Sequence, residues 1–301
     1  MDKMAARLGV VTVTYNSAAV LPEFLECTTV QTLRDFTLVV IDNASTDNSV
    51  ALIAEKVDSR IQLIRNSQNL GVAEGNNQGI RRAIECGCSH VLLINNDTAF
   101  DSKVFEEMMS VGMRHRVIVP KIYLHDSPKR IWFAGGAFNR SLGYSAKHFG
   151  EDEDDIGKFN VSGPTEYAPT CCMLVCADVF ASVGVMDARF FVYYDDVDFC
   201  LRLSRASIDI WYQPTISIRH KVGSLTGGVQ SAFSARMSVR NKVYFCRKNL
   251  SAFSATYFLV FYGAYLLFRF IAREDSWQRF CLKIGAFIEG RGVGNRPPLR
   301  L

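Results

Sequence analysis

The sequence predicts an α/β protein in which helices flank a mostly parallel sheet and a helical extension follows at the C-terminus. Strand and helix signals alternate over residues 1–100, which is typical of a parallel sheet with helices on both faces. Hydrophobic residues form 49% and charged residues 21% of the 301-residue chain, a globular composition that excludes a mainly disordered protein. The charge is uneven, since residues 236–301 carry a net charge of +9 and the remainder carries −5.

The N-terminal third contains clear strand and helix patterns. Short apolar runs rich in β-branched residues, bounded by polar turns, predict buried strands over 8–14, 36–41, 61–65 and 90–97. Apolar residues at helical spacing predict helices over 21–32, from a cap at Ser45 through Ile53, and over 71–87. These strands are expected to lie side by side in one sheet.

The pattern becomes irregular after residue 100. A helix is predicted over 101–113, a short strand over 117–119 before Pro120, a helix ending near Gly184, and a strand over 216–218. Before that last strand, aromatic residues lead into a group of three aspartates, Asp195, Asp196 and Asp198.

Polar residues follow every strand of the N-terminal third. The first strand ends in Thr14, Tyr15 and Asn16, the second in Asp42, and the fourth in residues 95–97. Asn and Asp favour turns by themselves, which explains any single strand end. Ligands of parallel sheets bind beyond the carboxyl ends of the strands, so the whole series favours a binding crevice there.

The acidic character of these strand ends indicates a metal that holds a diphosphate. No Gly-x-Gly-x-x-Gly follows the first strand and no P-loop sequence occurs, which argues against a dehydrogenase and a P-loop enzyme. Asp97 can bind Mg²⁺ or Mn²⁺, because both cations prefer oxygen ligands. His220 closes a later strand, and its imidazole is a suitable further ligand for Mn²⁺.

The three aspartates have two interpretations. At the start of a helix, Asp195 and Asp198 would share one face and Asp196 would point away. Packed carboxylates raise one another's pKa, which helps to make a general base. Alternatively, the residues stabilise the N-terminus of a helix, each by less than about 1 kcal/mol.

The cysteines and the N-terminus suggest a reducing, cytoplasmic setting. None of the nine cysteines forms a Cys-x-x-Cys pair, so neither a zinc knuckle nor a secreted disulfide framework is expected. The first seventeen residues reach Tyr15 and Asn16 before any adequate apolar run, and so do not predict a signal peptide. Cys171 and Cys172 are expected to be small apolar core residues.

The C-terminal region predicts a membrane-surface helix. Residues 249–268 carry no charge, and Arg269, Arg273, Arg279 and Lys283 follow. The length permits a membrane span, but polar residues dilute the first turns, so a helix lying in the plane of the surface is favoured. The alternative is a helix packed against the domain or against another subunit of a homo-oligomer, and no nucleic-acid partner is expected.

An ordered series of motifs resembles glycosyltransferase family 2, with its GT-A fold. The resemblance is closest to the bacterial subgroup that includes rhamnosyltransferases of polysaccharide and O-antigen assembly. It covers about 240 residues, and the matching stretches are VVTVTYNS (10–17), VVIDNASTDNS (39–49), NLGVAEGNNQGI (69–80), LLINNDT (92–98), FFVYYDDVDFCLR (190–202), the His220-x-x-Gly-Ser segment and RNKVYF (240–245).

The resemblance implies a Rossmann-like nucleotide-binding half over residues 1–100. Thr14, Tyr15 and Asn16 would line the nucleotide pocket, and Asp42 would accept a hydrogen bond from the pyrimidine ring. The resemblance further implies that Gly71 lets the backbone approach the base, that Asn77 holds the nucleoside or phosphate, and that Asn96 contacts the donor.

The resemblance also implies the metal-binding and catalytic residues. Asn95-Asn96-Asp97 stands where the family usually has Asp-x-Asp, so one anionic ligand is missing while Asp97 keeps the direct metal position. His220 matches a histidine that reaches the metal. Asp196 matches the catalytic base, and Asp195 replaces the usual Glu. Asn95, Asp195, Asp198 and Arg240 are expected to support the site, although no role for the Arg240–Asn241 pair follows from the motif.

The implied activity is inverting, metal-dependent transfer of a sugar from a nucleotide diphosphate sugar to a lipid-linked or polysaccharide acceptor. The donor would be dTDP-rhamnose, with UDP-hexoses as the alternative. The catalytic domain would span residues 1–235, with the acceptor half over 101–235, and residues 236–301 would hold it on the cytoplasmic face of a membrane. Three other classes are compatible with parts of the sequence: a non-catalytic sugar-nucleotide-binding relative, a nucleotidyltransferase and a membrane-anchoring interaction protein.

Overall fold

A ten-stranded mixed sheet forms the centre of the molecule in a computed structural model, which describes residues 7–223 and 231–294. The strands are β1 (Leu8–Thr14), β2 (Phe36–Asp42), β3 (Ile61–Arg65), β4 (His90–Ile94), β5 (Thr98–Phe100), β6 (Val117–Leu124), β7 (Ser127–Phe133), β8 (Gly136–Asn139), β9 (Ser145–His148), β10 (Gly163–Thr165), β11 (Cys172–Cys176) and β12 (Ile210–His220). The main order is β10-β12-β6-β11-β4-β1-β2-β3, while β8 and β9 form a separate hairpin.

Helices cover both faces of this sheet and continue at the C-terminus. They are α1 (Leu21–Thr29), α2 (Ser49–Ala54), α3 (Gly71–Glu85), α4 (Val104–Gly112), α5 (Ala177–Val183), α6 (Asp195–Arg205), α7 (Ala232–Asn249), α8 (Ala252–Ile271) and α9 (Trp277–Gly292). The predicted α/β class with a C-terminal helical region is confirmed.

The parallel half of the sheet follows the predicted alternation. Strands β4, β1, β2 and β3 are parallel neighbours, and β1, β2 and β4 are almost entirely buried. Helix α3 lies directly against β1 because two of its residues lack side chains. A Cβ atom on Gly75 or Gly79 would lie 2.7 or 2.1 Å from a methyl group of Val13 or Val11.

The second half of the sheet brings the end of β12 beside β5, the short strand that follows β4. Strand β11 is antiparallel to β4 and β6, and β12 then runs parallel to β6. Strand β12 also pairs with β5, where His220 lies opposite Thr98. The register between β6 and β12 shifts between Gln213 and Ser217, next to Pro120, which has no backbone N–H to donate.

Several predicted boundaries differ from the structure. Strand β6 continues through Pro120, and β12 is far longer than the predicted 216–218. Helix α2 begins at Ser49, because the Ser45 hydroxyl accepts the N–H of Asn16 at 2.9 Å, while Asp47 accepts the N–H of Ser49 at 3.0 Å. The predicted cap at Ser45 is therefore wrong.

The predicted domain boundary after residue 235 falls inside α7. Tyr244, Phe245 and Cys246 of this helix belong to the same hydrophobic core as the central sheet. A second, small core joins α7 to α8 and α9 through Val239, Leu266 and Ala286. Helix α7 is thus packed as part of the sheet-containing unit. Residue 224 of the predicted His220 motif and residues 295–301 of the C-terminal region lie outside the described residues.

Candidate active site

The carboxyl ends of β1 and β2 lie side by side at the predicted crevice. Thr14 and Asp42 are register partners, and both are buried. The backbone N–H of Ser45 donates to the Asp42 carboxylate, whose two oxygens lie 3.3 Å from the nitrogen. Tyr15 is 44% exposed, and Asn16 Oδ1 accepts a backbone N–H of the loop after β2 at 2.8 Å. The structure therefore brings these predicted nucleotide-pocket residues together.

The start of α3 contacts the loop that precedes α6. Gly71 has a φ of +83°, and a Cβ atom there would lie 2.5 Å from the carbonyl oxygen of Phe191. The N–H of Val72 donates to this oxygen at 2.6 Å. A close backbone approach at Gly71 is present, and the approaching group is Phe191. Approach of a nucleotide base at the same position stays a prediction.

Asn77 is buried on α3 and has both ends of its amide engaged. Its Nδ2 donates to the carbonyl of Met186, and its Oδ1 accepts the N–H of Met186, both at 2.9 Å. The side chain therefore ties α3 to the segment after α5. Its predicted contact with the nucleoside or phosphate stays a prediction.

The two asparagines after β4 are held by backbone groups of neighbouring strands. The Nδ2 of the fully buried Asn96 donates to the carbonyl of Val13 at 3.2 Å. The backbone N–H of Asn95 donates to the carbonyl of Cys171 at 3.0 Å. Among the described residues, Asn96 Oδ1 has no hydrogen-bond partner although it is buried. This oxygen is an acceptor that a bound ligand could satisfy.

Asp97 and His220 form a buried pair at the same edge of the sheet. The pairing of β5 with β12 places His220 opposite Thr98, one residue from Asp97. The Nε2 atom of His220 lies 3.1 Å from Asp97 Oδ1. In the part of the chain that the structure describes, His220 Nδ1 is buried without a hydrogen-bond partner.

This pair fits part of a divalent-metal site. A carboxylate oxygen and an imidazole nitrogen converge, and Mn²⁺ accepts both ligand types, whereas Mg²⁺ strongly prefers oxygen. Within the described ranges, no group of three or more His, Cys, Asp or Glu side chains converges as a metal site. The protein would therefore supply two ligands and leave the remaining positions to substrate oxygens or water.

Asp196 is the hydrogen-bonded carboxylate at the start of α6. Its Oδ2 accepts the hydroxyl of Tyr167 at 2.5 Å, and its Oδ1 accepts the backbone N–H of Val197 at 2.7 Å. Burial raises the pKa of Asp196, while these hydrogen bonds to the charged form oppose the rise. A carboxylate with a raised pKa is a more effective proton acceptor than an ordinary aspartate.

The two aspartates beside Asp196 have different surroundings. Burial and the charge of Asp196 raise the pKa of Asp195, whose Oδ2 has no hydrogen-bond partner among the described residues. The pair therefore favours a proton on Asp195 and a charge on Asp196, which has the donors. Asp198 is fully buried and accepts from Arg202 Nε at 2.9 Å and from Asn249 Nδ2 at 3.0 Å, so it joins α6 to the end of α7.

A row of aromatic rings links the Asp97–His220 pair to Asp196. The sequence patterns do not identify these rings. The ring of Trp132 lies 4.7 Å from that of His220 and 4.8 Å from that of His148, measured between centroids. The His148 ring stacks on Tyr167 at 5.6 Å, and its Nδ1–H donates to the Trp132 carbonyl at 3.0 Å. Burial lowers the pKa of His148, so a neutral ring is favoured. The row therefore forms one continuous wall from the His220 pair to Asp196.

The loop before α6 has a strained backbone. Phe191, Tyr193 and Tyr194 have φ angles of +64°, +66° and +67°, a region that residues other than glycine rarely adopt. The fully buried Asn241 of α7 holds this loop, since its Nδ2 lies 2.7, 2.7 and 3.0 Å from three loop carbonyl oxygens. The position of Asp196 therefore depends on α7.

Arg240 also holds the loop before α6. Its Nη1 donates to the carbonyl of Arg189 at 2.7 Å and to Asn241 Oδ1 at 2.6 Å. Its Nε donates to Glu289 of α9 at 3.0 Å. The Arg240–Asn241 pair, whose role the sequence leaves open, thus fixes the loop that leads into α6, where the candidate base Asp196 lies.

Comparison with known proteins gives a family match and several distant relatives. The model of the family described as "Glycosyl transferase family 2" matches residues 9–184. The dTDP-rhamnosyl transferase RfbF of Shigella flexneri is 22% identical over 220 residues, which cover 70% of this chain and 71% of the relative. The N-acetylglucosaminyl-diphospho-decaprenol L-rhamnosyltransferase of Mycobacterium tuberculosis is 23% identical over 248 residues, or 73% and 78% of the two chains.

This chain matches only part of the length of two further proteins. The low-salt glycan biosynthesis hexosyltransferase Agl10 of Haloferax volcanii is 24% identical over 213 residues, which cover 68% of this chain and 65% of the relative. The crystal structure of GalNAc-T7 with UDP, GalNAc and Mn²⁺ superposes with a TM-score of 0.62 at 14% identity, over 81% of this chain and 50% of that one. This superposition supports the fold.

Proposed function

Because this chain belongs to glycosyl transferase family 2, we propose that it is an inverting glycosyltransferase that moves a sugar from a nucleoside diphosphate sugar to an acceptor hydroxyl. The observation that carries the proposal is the row of rings, which joins the Asp97–His220 pair to Asp196 in one crevice. A non-catalytic sugar-nucleotide-binding relative is the second candidate. The hydrogen-bonded Asp196 argues against it, since binding alone does not require a base there.

In the proposed reaction, Asp196 removes the proton of the acceptor hydroxyl while the oxygen attacks the anomeric carbon. Tyr167 holds the carboxylate in place through its hydrogen bond to Oδ2. Asp97 and His220 would hold Mg²⁺ or Mn²⁺, which when bound neutralises the charge that develops on the diphosphate leaving group. Asn95 and Asn96 lie beside this pair, on the donor side. In this arrangement, residues 1–100 would hold the donor and residues 101–235 would hold the acceptor.

The proposed stereochemistry is inversion at the anomeric carbon. A single displacement by the acceptor oxygen needs one base and no protein nucleophile. Cys171 lies at the crevice, but burial raises the pKa of its thiol well above the usual range, so a thiolate is disfavoured. Asp195 favours its protonated form for the reasons given above. Neither side chain is thus suited to form a covalent glycosyl intermediate.

The proposed donor is a uracil or thymine nucleotide sugar. The Asp42 carboxylate can accept the N3–H of either base, whereas cytosine lacks this proton and would leave a buried acceptor unpaired, at a cost of roughly 1–3 kcal/mol. Two of the relatives are named as rhamnosyltransferases, one of them with dTDP as the donor nucleotide. We favour dTDP-rhamnose on this basis and hold UDP-hexoses as the alternative.

A donor screen with product analysis tests the proposed function. The full chain would be incubated with dTDP-rhamnose, UDP-glucose, UDP-galactose, UDP-N-acetylglucosamine and GDP-mannose, together with a prenyl-diphosphate-linked sugar as acceptor. We expect transfer from a dTDP or UDP donor that requires Mg²⁺ or Mn²⁺ and stops in excess chelator. Proton NMR of the fresh product should show inverted anomeric configuration. Retained configuration, or a preference for the GDP donor, would contradict the proposal.

A membrane-bound acceptor is proposed from the surface of α8. Within the described residues, α8 is the helix that is long and apolar enough to cross a membrane by length and composition, and only Ala255 and Leu266 of its twenty residues are buried. The chain also carries its net charge of +9 over residues 236–301. We propose that α8 lies in the plane of the cytoplasmic membrane surface, near a lipid-linked acceptor. The alternative is that α8 packs on another subunit.

Flotation with liposomes tests this membrane contact. Val260, Leu267 and Ile271 form an exposed stripe at helical spacing on α8. When the vesicles contain anionic lipid, replacing all three with Gln should leave most of the protein in the bottom fraction instead of the floating fraction. The reason is that the variant no longer buries this apolar area in the membrane surface. Raising the salt concentration should also weaken binding, since each basic residue near an anionic surface contributes about 1 kcal/mol.

The matched control replaces three exposed apolar residues elsewhere, Val57, Ile156 and Val161, with Gln. This control variant should float like the wild-type protein. Equal flotation of all three proteins, or none, would instead support α8 as a subunit contact.

A further inference from the structure

A cavity of about 790 Å³ lies between the turn at residues 140–144 and helices α7 and α8. Its volume is in the range of ligand-binding pockets. Its walls are mainly aromatic and aliphatic, and include Leu142, Tyr144, Phe253, Tyr257, Phe258 and Phe261. We refer to this cavity as the α8 groove.

The turn that forms one side of the α8 groove is fixed against the helix. Gly143 has a φ of +67°, and a Cβ atom there would lie 2.6 Å from the ring of Phe258. A larger residue would therefore push the turn away from α8. The shape of the groove thus depends on the close contact between this turn and the helix.

A single lysine supplies a positive charge inside the α8 groove. The Lys242 ammonium lies 5.7 Å from the ring centre of Phe258 and 5.0 Å from that of Tyr262. It makes no hydrogen bond or ion pair among the described residues, whereas Arg140, at the rim, pairs with Glu166 at 2.8 Å. Burial lowers the pKa of Lys242, as expected for a cation that lacks an anion nearby. An anion bound in the groove would relieve this cost.

The α8 groove is one aromatic layer away from the candidate base. The ring of Phe138 lies 5.7 Å from Tyr144 at the groove and 6.0 Å from Tyr167. The Tyr167 hydroxyl donates to Asp196 at 2.5 Å. The groove therefore lies close to the candidate base, with the rings of Phe138 and Tyr167 between them.

We infer that the α8 groove binds the lipid-phosphate end of the acceptor, with the phosphate at Lys242 and the first prenyl units on the aromatic wall. This inference rests on the proposed function, because it assumes a lipid-linked acceptor. Charge complementarity favours a lipid phosphate over a second protein copy, since the groove pairs an apolar wall with one unneutralised cation. Aromatic rings suit an unsaturated hydrocarbon chain, and the ammonium suits a phosphate oxygen.

Binding of geranylgeranyl monophosphate to the full chain, without any sugar donor, tests the inference by titration calorimetry. Geranylgeraniol and inorganic phosphate are the comparison ligands. We expect the lipid phosphate to bind more tightly than either. Lys242→Gln should weaken its binding at least tenfold while leaving the alcohol unchanged, and Lys242→Arg should keep binding within about threefold of wild type.

Two further variants make the result interpretable. Lys147→Gln removes an exposed lysine on β9, outside the groove, and should change nothing. Phe253→Ser removes a wall residue that is 83% exposed, and should weaken the alcohol and the lipid phosphate alike. The thermal shift caused by UDP or dTDP, measured on the same samples, reports folding and donor binding separately from the groove.

The inference fails if Lys242→Gln binds the lipid phosphate as tightly as the wild type. It also fails if the protein is a dimer that buries this groove and binds none of the three ligands. Lipid-phosphate binding without any transfer activity would leave the lipid-phosphate site standing but overturn the proposed function, and with it the identification of the ligand as an acceptor. Transfer to a soluble acceptor without lipid-phosphate binding would do the reverse.

Discussion

Asp196→Asn is expected to lower kcat by about 10²–10⁴-fold while donor binding changes little. The amide keeps the size of the side chain but cannot accept the acceptor proton, so the loss falls on the transition state. Single-turnover rates and the thermal shift with UDP or dTDP measure the two quantities. The control is Asp209→Asn, which changes an exposed aspartate just after α6 and should keep full activity. Near wild-type turnover of Asp196→Asn would place the base elsewhere, with Asp195 next to test.

Tyr167→Phe is the companion variant, and its effect depends on pH. Burial raises the pKa of Asp196, and the Tyr167 hydroxyl opposes this rise by stabilising the carboxylate. Removing the hydroxyl should raise the pKa further. Because the reactive form is deprotonated, the acid limb of the kcat/KM profile should move to higher pH, with the largest loss at low pH. Tyr212→Phe, which removes a hydroxyl that donates to the Phe159 carbonyl at 3.0 Å, should leave the profile in place.

Lys248→Met is expected to lower the free energy of unfolding by about 1.5–3 kcal/mol, since Arg189 and Arg202 still pair with the two carboxylates. The Lys248 ammonium lies 2.7 Å from Asp187 Oδ2 and 2.7 Å from Asp198 Oδ1, and both carboxylates are buried. The variant would leave these two negative charges without their shared cation. Urea unfolding, followed by circular dichroism, measures the change. Lys158→Met, which breaks an exposed pair with Glu153, should cost less than about 1 kcal/mol.

The same ion network predicts how stability depends on pH. Burial raises the pKa of Asp187, but the Arg189 hydrogen bond and the charge of Lys248 outweigh it and lower the pKa to about 2. A lowered pKa in the folded state means that the carboxylate stabilises the protein above its ordinary pKa. This stability should be lost as the pH falls from about 4 toward 2. Lys248→Met should lose less stability over this interval than the wild-type protein, and an equal loss would contradict this assignment.

The parts of the fold that depend on local pattern could be predicted from the sequence, and those that depend on distant contacts could not. Strands β1 and β3 match their predicted bounds, because polar turns border a short apolar run. The predicted cap at Ser45 failed because its hydroxyl binds the backbone of Asn16, a contact made across the sheet edge. Pro120 does not end β6, and the register of the neighbouring strand β12 shifts beside it, between Gln213 and Ser217.

In the candidate site, too, the residues marked by local motifs could be predicted, and those brought together by distant contacts could not. Asp97, His220 and Asp196 follow strands or begin a helix, and their motifs mark them in the sequence. Trp132 lies on β7 and Tyr167 follows β10, both in the part of the chain where the sequence pattern is irregular, and no spacing rule connects them with each other or with Asp196. Only the folded sheet brings their rings into one row.

The hydrogen bonds from Asn241 to the loop before α6 have a consequence for synthesis of the chain. A nascent polypeptide that has emerged as far as residue 235 contains the whole edge of the sheet and Asp196 itself. It lacks the side chain whose amide binds the three carbonyls of the strained loop before α6. On the ribosome, this loop can therefore relax to ordinary backbone angles until α7 emerges and docks. Incomplete translation products should accordingly be able to form the edge that holds Asp42 and Asp97 yet remain inactive.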